Sequence, residues 1–145
     1  KFTKDTTPGL PYTDKVWEYP PIDLLSDVAV TSADRGDVKQ RQHIIEDTLN
    51  SFGIKARVAE INFGPAVTQY ALETASGTKI AKITNLQNDL ALALSSPTGS
   101  VRIEAPIPGK PYVGIEVPNV STALVSFKSL INSSYIKKIM HHHFQ

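Results

Sequence analysis

Alternation with a period of two marks two stretches of this chain most clearly. Val101, Ile103 and Ala105 lie on one side of the first run, with Arg102 and Glu104 on the other. Val113, Ile115 and Val117 do the same in the second, against Tyr112, Gly114 and Glu116. Such alternation, bounded by Pro and Gly, predicts half-buried strands. Pro106, Pro108, Gly109 and Pro111 stand between them. Proline fixes φ and removes an amide donor, so Pro106-Ile107-Pro108 cannot continue a ladder. The spacing predicts a stiff loop standing proud of the sheet with Lys110 at its tip, better suited to a contact surface than to a catalytic lid. Ala56–Phe63 and Val67–Thr74 read as a second strand pair, an antiparallel hairpin joined by Gly64-Pro65, with the next turn at Ser76-Gly77.

Between the pairs the period lengthens to that of a helix. From Asp34 to Phe52, Val38, Ile45, Leu49 and Phe52 form one stripe with Ile44 and Thr48 beside it, while Lys39, Arg41, Glu46 and Asp47 face out. Asp34 or Asp37 is placed to cap its start, and Gly53 stands where a left-handed residue stops it. A second helix is expected from Thr84, because Thr84-x-x-Gln87 spells a capping box and Leu86, Leu90, Ala93 and Leu94 make a stripe ended by Ser95-Ser96-Pro97. Thr122–Phe127 alternates enough for an edge strand, and Ser129–Met140 predicts a poorly capped helix. Pro20-Pro21 forces an extended entry, after which Ile22, Leu24 and Leu25 form a short anchor laid on the core. Hairpins alternating with helices predict an α+β two-layer domain, a mainly antiparallel sheet with helices on one face. There is no internal repeat and no low-complexity tract.

Length and composition narrow the class. The 145 residues suffice for one domain. Fifteen Lys+Arg against fourteen Asp+Glu leave no global basic field, so any nucleic-acid contact has to come from a local patch. The absence of cysteine excludes a disulfide scaffold and thiolate metal sites, and fits a reducing compartment. No apolar run approaches the roughly 18 residues that span a bilayer, and the first residues do not read as a signal peptide, so a soluble, cytoplasmic domain is expected. Lys1 in place of methionine leads to the expectation of a piece of a longer chain. Residues 1–18 are polar and aperiodic, a linker or a segment added in cloning, partly ordered where Trp17 and Tyr19 dock.

Catalytic chemistry is not assembled by these residues. A phosphate-binding loop needs G-x-x-x-x-G-K-[ST], but Gly109-Lys110 is followed by Pro111, and Glu104 stands at the first glycine position. His141, His142 and His143 are adjacent in sequence and cannot readily converge on one ion; they read as a tag remnant or a frayed end. His43 reads as a solvated polar residue on the rim of the first helix. Asp89 in early helical turns complements the macrodipole, and Glu104 has no partner carboxylate at a defined spacing. No nucleophile and base pair up, which disfavours a hydrolase. Basic residues gather at Lys79 and Lys82, at Lys55 and Arg57, and singly at Lys110, candidates for contact with DNA phosphates. No aromatic residue is interleaved with them to stack bases, which argues against single-strand binding.

Four segments, in order, carry a family resemblance. They are Tyr19-Pro20-Pro21-Ile22-Asp23-Leu24-Leu25 with Phe52-Gly53-Ile54, then Gly64-Pro65-Ala66-Val67-Thr68-Gln69-Tyr70, then Ile83 to Leu94, then Arg102 to Asn119. In wording and spacing, residues from about Tyr19 to Leu130 resemble the α subdomain of FtsK/SpoIIIE-type DNA translocase motors. The resemblance implies a domain at 19–132 that scaffolds a hexameric ring around double-stranded DNA, followed by a helix or tag-derived tail at 133–145. It implies partners in neighbouring copies and in a RecA-like ATPase subdomain of the same chain. No cofactor is expected in this stretch, because ATP and Mg²⁺ belong to the downstream subdomain. The parent protein would be anchored in the bacterial inner membrane and move chromosomal DNA at cell division, or between cells in conjugative relatives. Lys79, Lys82, Arg57, Lys110 and Ile107 become the candidate DNA or subunit contacts, with no catalytic or metal residue among them.

Two departures from the family pattern stand out. Ala71 replaces an acidic residue common after the hairpin aromatic, and Ile136-Lys137-Lys138-Ile139-Met140 leads into histidines where the family runs on toward its ATPase core. The alternative reading is a free-standing nucleic-acid-binding α+β module. A KH domain, however, needs a G-x-x-G clamp between helices, whereas Gly109 lies in a strand–strand loop.

Overall fold

A computed structural model describes residues 20–29 and 31–143. The reading of residues 1–18 as linker, and the docking of Trp17 and Tyr19, lie outside the described residues. Helix α1 (Val38–Ser51) starts where Asp37 turns the chain, its carboxylate accepting the Gln40 amide at 2.9 Å. Of the two candidate caps, Asp34 does something else: its Oδ1 takes the Gly36 amide at 2.9 Å. Ile45 and Leu49 are fully buried along the predicted stripe. Phe52, expected to complete that stripe, is the exposed C-cap residue, because Gly53 at φ +73° turns the chain away beneath it. Glu46 does not simply face water either. Its Oε1 accepts the Val58 amide at 2.7 Å, covering a free donor on an edge strand.

The sheet is antiparallel throughout. Strands β1 (Ala56–Phe63), β2 (Val67–Thr74), β3 (Arg102–Glu104) and β4 (Val113–Pro118) lie in the order β1-β2-β4-β3. Both predicted strand pairs are present, with a bulge between Val58 and Glu60. Tyr70, Leu72, Val113, Ile115 and Val117 point to one face, where Ile45 and Leu49 of α1 meet them. Helices α2 (Ile80–Thr84) and α3 (Gln87–Ala93) close the same layer through Ile83, Leu86, Leu90 and Leu94. The domain is therefore α+β and two-layered, with these helices on one face.

Three local expectations are corrected. Thr84 does not cap a helix but ends α2, its hydroxyl donating to the Ala81 carbonyl at 3.2 Å. The apolar period extends upstream to Ile83, so burying that residue draws the chain into a helical turn before the capping box is reached. In the following helix Ala91 is buried and Ala93 exposed, the reverse of the expected edge of the stripe. Thr122–Phe127 forms no strand: the Ala123 amide goes to the Pro65 carbonyl at 2.8 Å and the Leu124 amide to Thr31 Oγ1 at 3.1 Å, so neither joins a ladder. The single helix expected over Ser129–Met140 is two, α4 (Phe127–Ile131), capped by Ser126, and α5 (Ser134–His143). Ile22–Leu24 is a 3-10 turn in which Leu24 is exposed, so the anchor there is weaker than its composition implies.

The proline-rich loop departs most from expectation. It folds back over the face of the sheet that the helices leave open. Ile107 is buried, with Cγ1 3.0 Å from where a Gly114 β-carbon would stand, and its amide donates to the Tyr112 carbonyl at 2.8 Å. Lys110 reaches across to pair with Glu60 of β1. Ala71, opposite Gly114 in the β2–β4 register, is fully sealed on that face. An isoleucine flanked by prolines hides its side chain here because Gly114 leaves a hole in an otherwise polar sheet face, and filling that hole removes apolar area from water.

Candidate functional site

The sequence-derived candidates separate into two groups. Arg57 lies across β1–β2 from Glu73, its Nη2 2.6 Å and its Nε 2.7 Å from Oε2. Lys110 is paired with Glu60, and Ile107 lies buried in the loop. Arg102 and Glu116 make a further cross-strand pair at 3.2 Å. The open sheet face thus neutralises its own charges, and Asn62, Gln69 and Glu104 continue the chain of side-chain hydrogen bonds across it. Cross-strand pairs of this kind hold register more than they bind ligands.

Lys79 and Lys82 behave differently. With Lys55 they line one concavity of about 390 Å³, walled by Gly53, Ile54 and the turn at Ser76-Gly77. All three lysines are exposed, and among the described residues no carboxylate lines the cavity. Sequence grouped Lys55 with Arg57, but strand alternation sends Arg57 to the open face while Lys55, just ahead of β1, stays at the sheet's end beside the α2 rim. Three separate sequence clusters become one cationic basin and two closed ion pairs.

A second arrangement escaped notice in the sequence. Asn119, directly after β4, is buried and satisfied on three sides. Its Oδ1 accepts the Thr68 hydroxyl at 2.8 Å, its Nδ2 donates to the Gly64 carbonyl at 3.1 Å, and its amide donates to the Ala66 carbonyl at 2.9 Å. Around it the Val120 amide donates to the Asp34 carbonyl at 2.8 Å, the Asp34 amide to Ser121 Oγ at 3.1 Å, and Arg41 Nη1 to the Pro118 carbonyl at 3.1 Å. The hairpin tip, the segment before α1 and the segment leaving β4 are locked together here. The signal available in the sequence was a polar residue closing an alternating apolar strand, too common a pattern to stand out alone.

Other titratable groups carry no shared chemistry. Among the described residues no group of three His, Cys, Asp or Glu side chains is placed to hold a metal ion. His43 and Asp89 are exposed, and Glu104 accepts from Gln69 at 3.3 Å. Burial pushes the Tyr70 phenol above its ordinary value, with Arg41 nearby pulling the other way. Among the described residues no helix is long and apolar enough to cross a membrane.

Comparison with known proteins decides among the readings of such a scaffold. Residues 19–119 match the FtsK alpha domain family. The chain belongs to that family. It is 45% identical over 124 residues to the DNA translocase FtsK of Staphylococcus aureus, covering 85% of this chain and 16% of that protein. The DNA translocase SpoIIIE of Bacillus subtilis is 44% identical over 133 residues, 88% of this chain and 17% of that protein. The FtsK of Listeria monocytogenes is 39% identical over 125 residues, 85% of this chain and 16% of its own length. The chain therefore spans about a sixth of the relatives it matches. The FtsK alpha domain match ends at Asn119, the residue on which the polar junction is built.

Proposed function

We propose that this FtsK alpha domain is a non-catalytic scaffold block of a hexameric, ATP-driven double-stranded DNA translocase acting in chromosome segregation at cell division. In this reading the working subdomain is 19–132, with 1–18 a linker and 133–145 a tail. The observation that carries it is the surface that begins where the match ends. Beyond Asn119 the chain exposes Val120, Leu124, Val125, Phe127, Leu130, Tyr135 and Ile139, an unusual density of uncovered apolar side chains. The Asn119 junction ties the start of this segment to the hairpin tip and to the segment before α1. Lys128 ties α4 back to the segment before α1, with Nζ 2.9 Å from Asp27 and 3.9 Å from Asp23.

A rigid block with an oriented apolar exit suits a partner of the same polypeptide, the RecA-like ATPase subdomain that would carry ATP and Mg²⁺. The relatives, about five times as long as this chain, leave ample length for one, and for an anchor in the inner membrane. Neighbouring copies of the block would then follow the motions of the ATPase ring around the duplex.

The test compares this chain with a version extended through the natural downstream sequence. The short chain is expected to show no ATP turnover, and the extended one turnover and ring assembly by native mass spectrometry. Phe127→Asp in the extended version is expected to abolish assembly. Turnover by the short chain, or unaltered assembly of the variant, would refute the scaffold role.

A further inference from the structure

We propose that the basin formed by Lys55, Lys79 and Lys82 is a binding site for the phosphodiester backbone of duplex DNA. This rests on the translocase reading above and deepens it by naming where the domain meets its track. The three lysines line one concavity with no acid among its described walls; Lys55 also borders the neighbouring concavity that holds Glu46, Asp47 and Glu73, yet none of the three lysines has a carboxylate or carbonyl acceptor among the described residues. The other cationic candidates, Arg57 and Lys110, are already neutralised by Glu73 and Glu60.

The competing role for these lysines is to complement the negative end of α1, which stops at the basin. That end is already satisfied internally: the Leu49 and Asn50 carbonyls accept from the Ile54 and Gly53 amides at 2.9 Å each. On the turn opposite, neither the Ser76 nor the Gly77 amide has a protein acceptor among the described residues. Like charges confined together repel, and an anion entering the basin relieves that repulsion. The choice of anion follows from chemistry. The concavity lacks the arginine forks that grip a terminal phosphate, and its cations come from three separate points of the chain, as suits a backbone of repeated single charges. No aromatic residue lines it to stack an unpaired base, which favours an intact duplex.

Fluorescence anisotropy with a short labelled duplex and the purified chain tests the assignment. The triple variant K55A/K79A/K82A is expected to bind at least about tenfold more weakly at about 50 mM salt, each lysine removed flattening the salt dependence by about one unit of slope. Lys110→Ala is expected to change affinity less than about twofold, because its charge is already spent on Glu60. Inorganic phosphate should compete with the duplex for wild type and not for the triple variant. Equal losses in both variants, or no loss in the triple variant, would overturn the site. So would an unchanged affinity accompanied by a lowered melting temperature, which would assign the lysines to the end of α1. Competition by polyglutamate as effective as by duplex would overturn the DNA assignment in favour of an acidic protein surface. None of these outcomes involves ring assembly, so the basin can fail while the scaffold role stands.

Discussion

A β-carbon added at Gly114 would stand 3.0 Å from Ile107 Cγ1 and 3.1 Å from Gln69 Nε2, tighter than most packed contacts, so these side chains would have to give way by a few tenths of an ångström. Gly114→Ala is therefore expected to destabilise the domain by about 1–3 kcal/mol, as overpacked cores do. Chemical denaturation checks the value, and pairing the change with Ile107→Ala should recover part of the loss, since each single variant spoils the same contact. Tyr70 makes a second residue-level case. Its ring is buried and its hydroxyl donates to the Val38 carbonyl at 3.4 Å, while burial raises its pKa. With the folded value above the unfolded one, the native state holds the phenolic proton more tightly. The resulting stability is complete below the unfolded value near 10 and is lost as pH rises through the folded value. Wild type should accordingly lose more stability than Tyr70→Phe as pH is raised above about 10, measured by denaturant midpoints. A tyrosine on an apolar strand face was readable from alternation, but the depth at which its oxygen sits was not.

Among the elements, the junction at the end of β4 has the largest consequence. Asn119 uses both ends of its amide inside a buried site, so Asn119→Ala strands the Thr68 hydroxyl and the Gly64 carbonyl. Each orphaned group costs about 1–3 kcal/mol, and the sum is expected to fall within about 2–6 kcal/mol. Hydrogen exchange should show that the Val120 and Ala123 amides lose protection first, because their acceptors lie on the segments that Asn119 holds. Strand identity was legible here from alternation. The end of the strand was not, because its meaning depends on Asp34 and Ala66, far away in sequence. The same gap explains the failed edge strand over Thr122–Phe127, whose amides find loop acceptors instead of a neighbouring strand.

For the molecule as a whole, two apolar surfaces lie in opposite environments. The core around Ile115 and Leu90 is fully buried between sheet and helices, whereas Phe127 and Leu130 are exposed beyond the junction. Ile115→Ala is expected to cost about 2–5 kcal/mol. Phe127→Asp should change the unfolding free energy of this chain by less than about 0.5 kcal/mol. Urea titrations of the two variants separate the surface that holds the domain together from the one that stays exposed beyond the junction. An apolar residue with little value to its own fold fits a block completed by a neighbouring part of the same polypeptide.

Local order and chain composition were enough to determine the four strands, the first helix, the α+β class and the kinship with the FtsK alpha domain. Those features depend on side-chain period and on the wording of contiguous segments. Only the tertiary structure decided which lysines share a basin, that Ile107 is hidden beneath its own loop, and that Asn119 fastens the way out of the sheet. Each of these turns on distance between residues remote in sequence. Charge is neutralised or left open according to which strand lies next to which, and a period of two or of 3.6 carries no information about that neighbour.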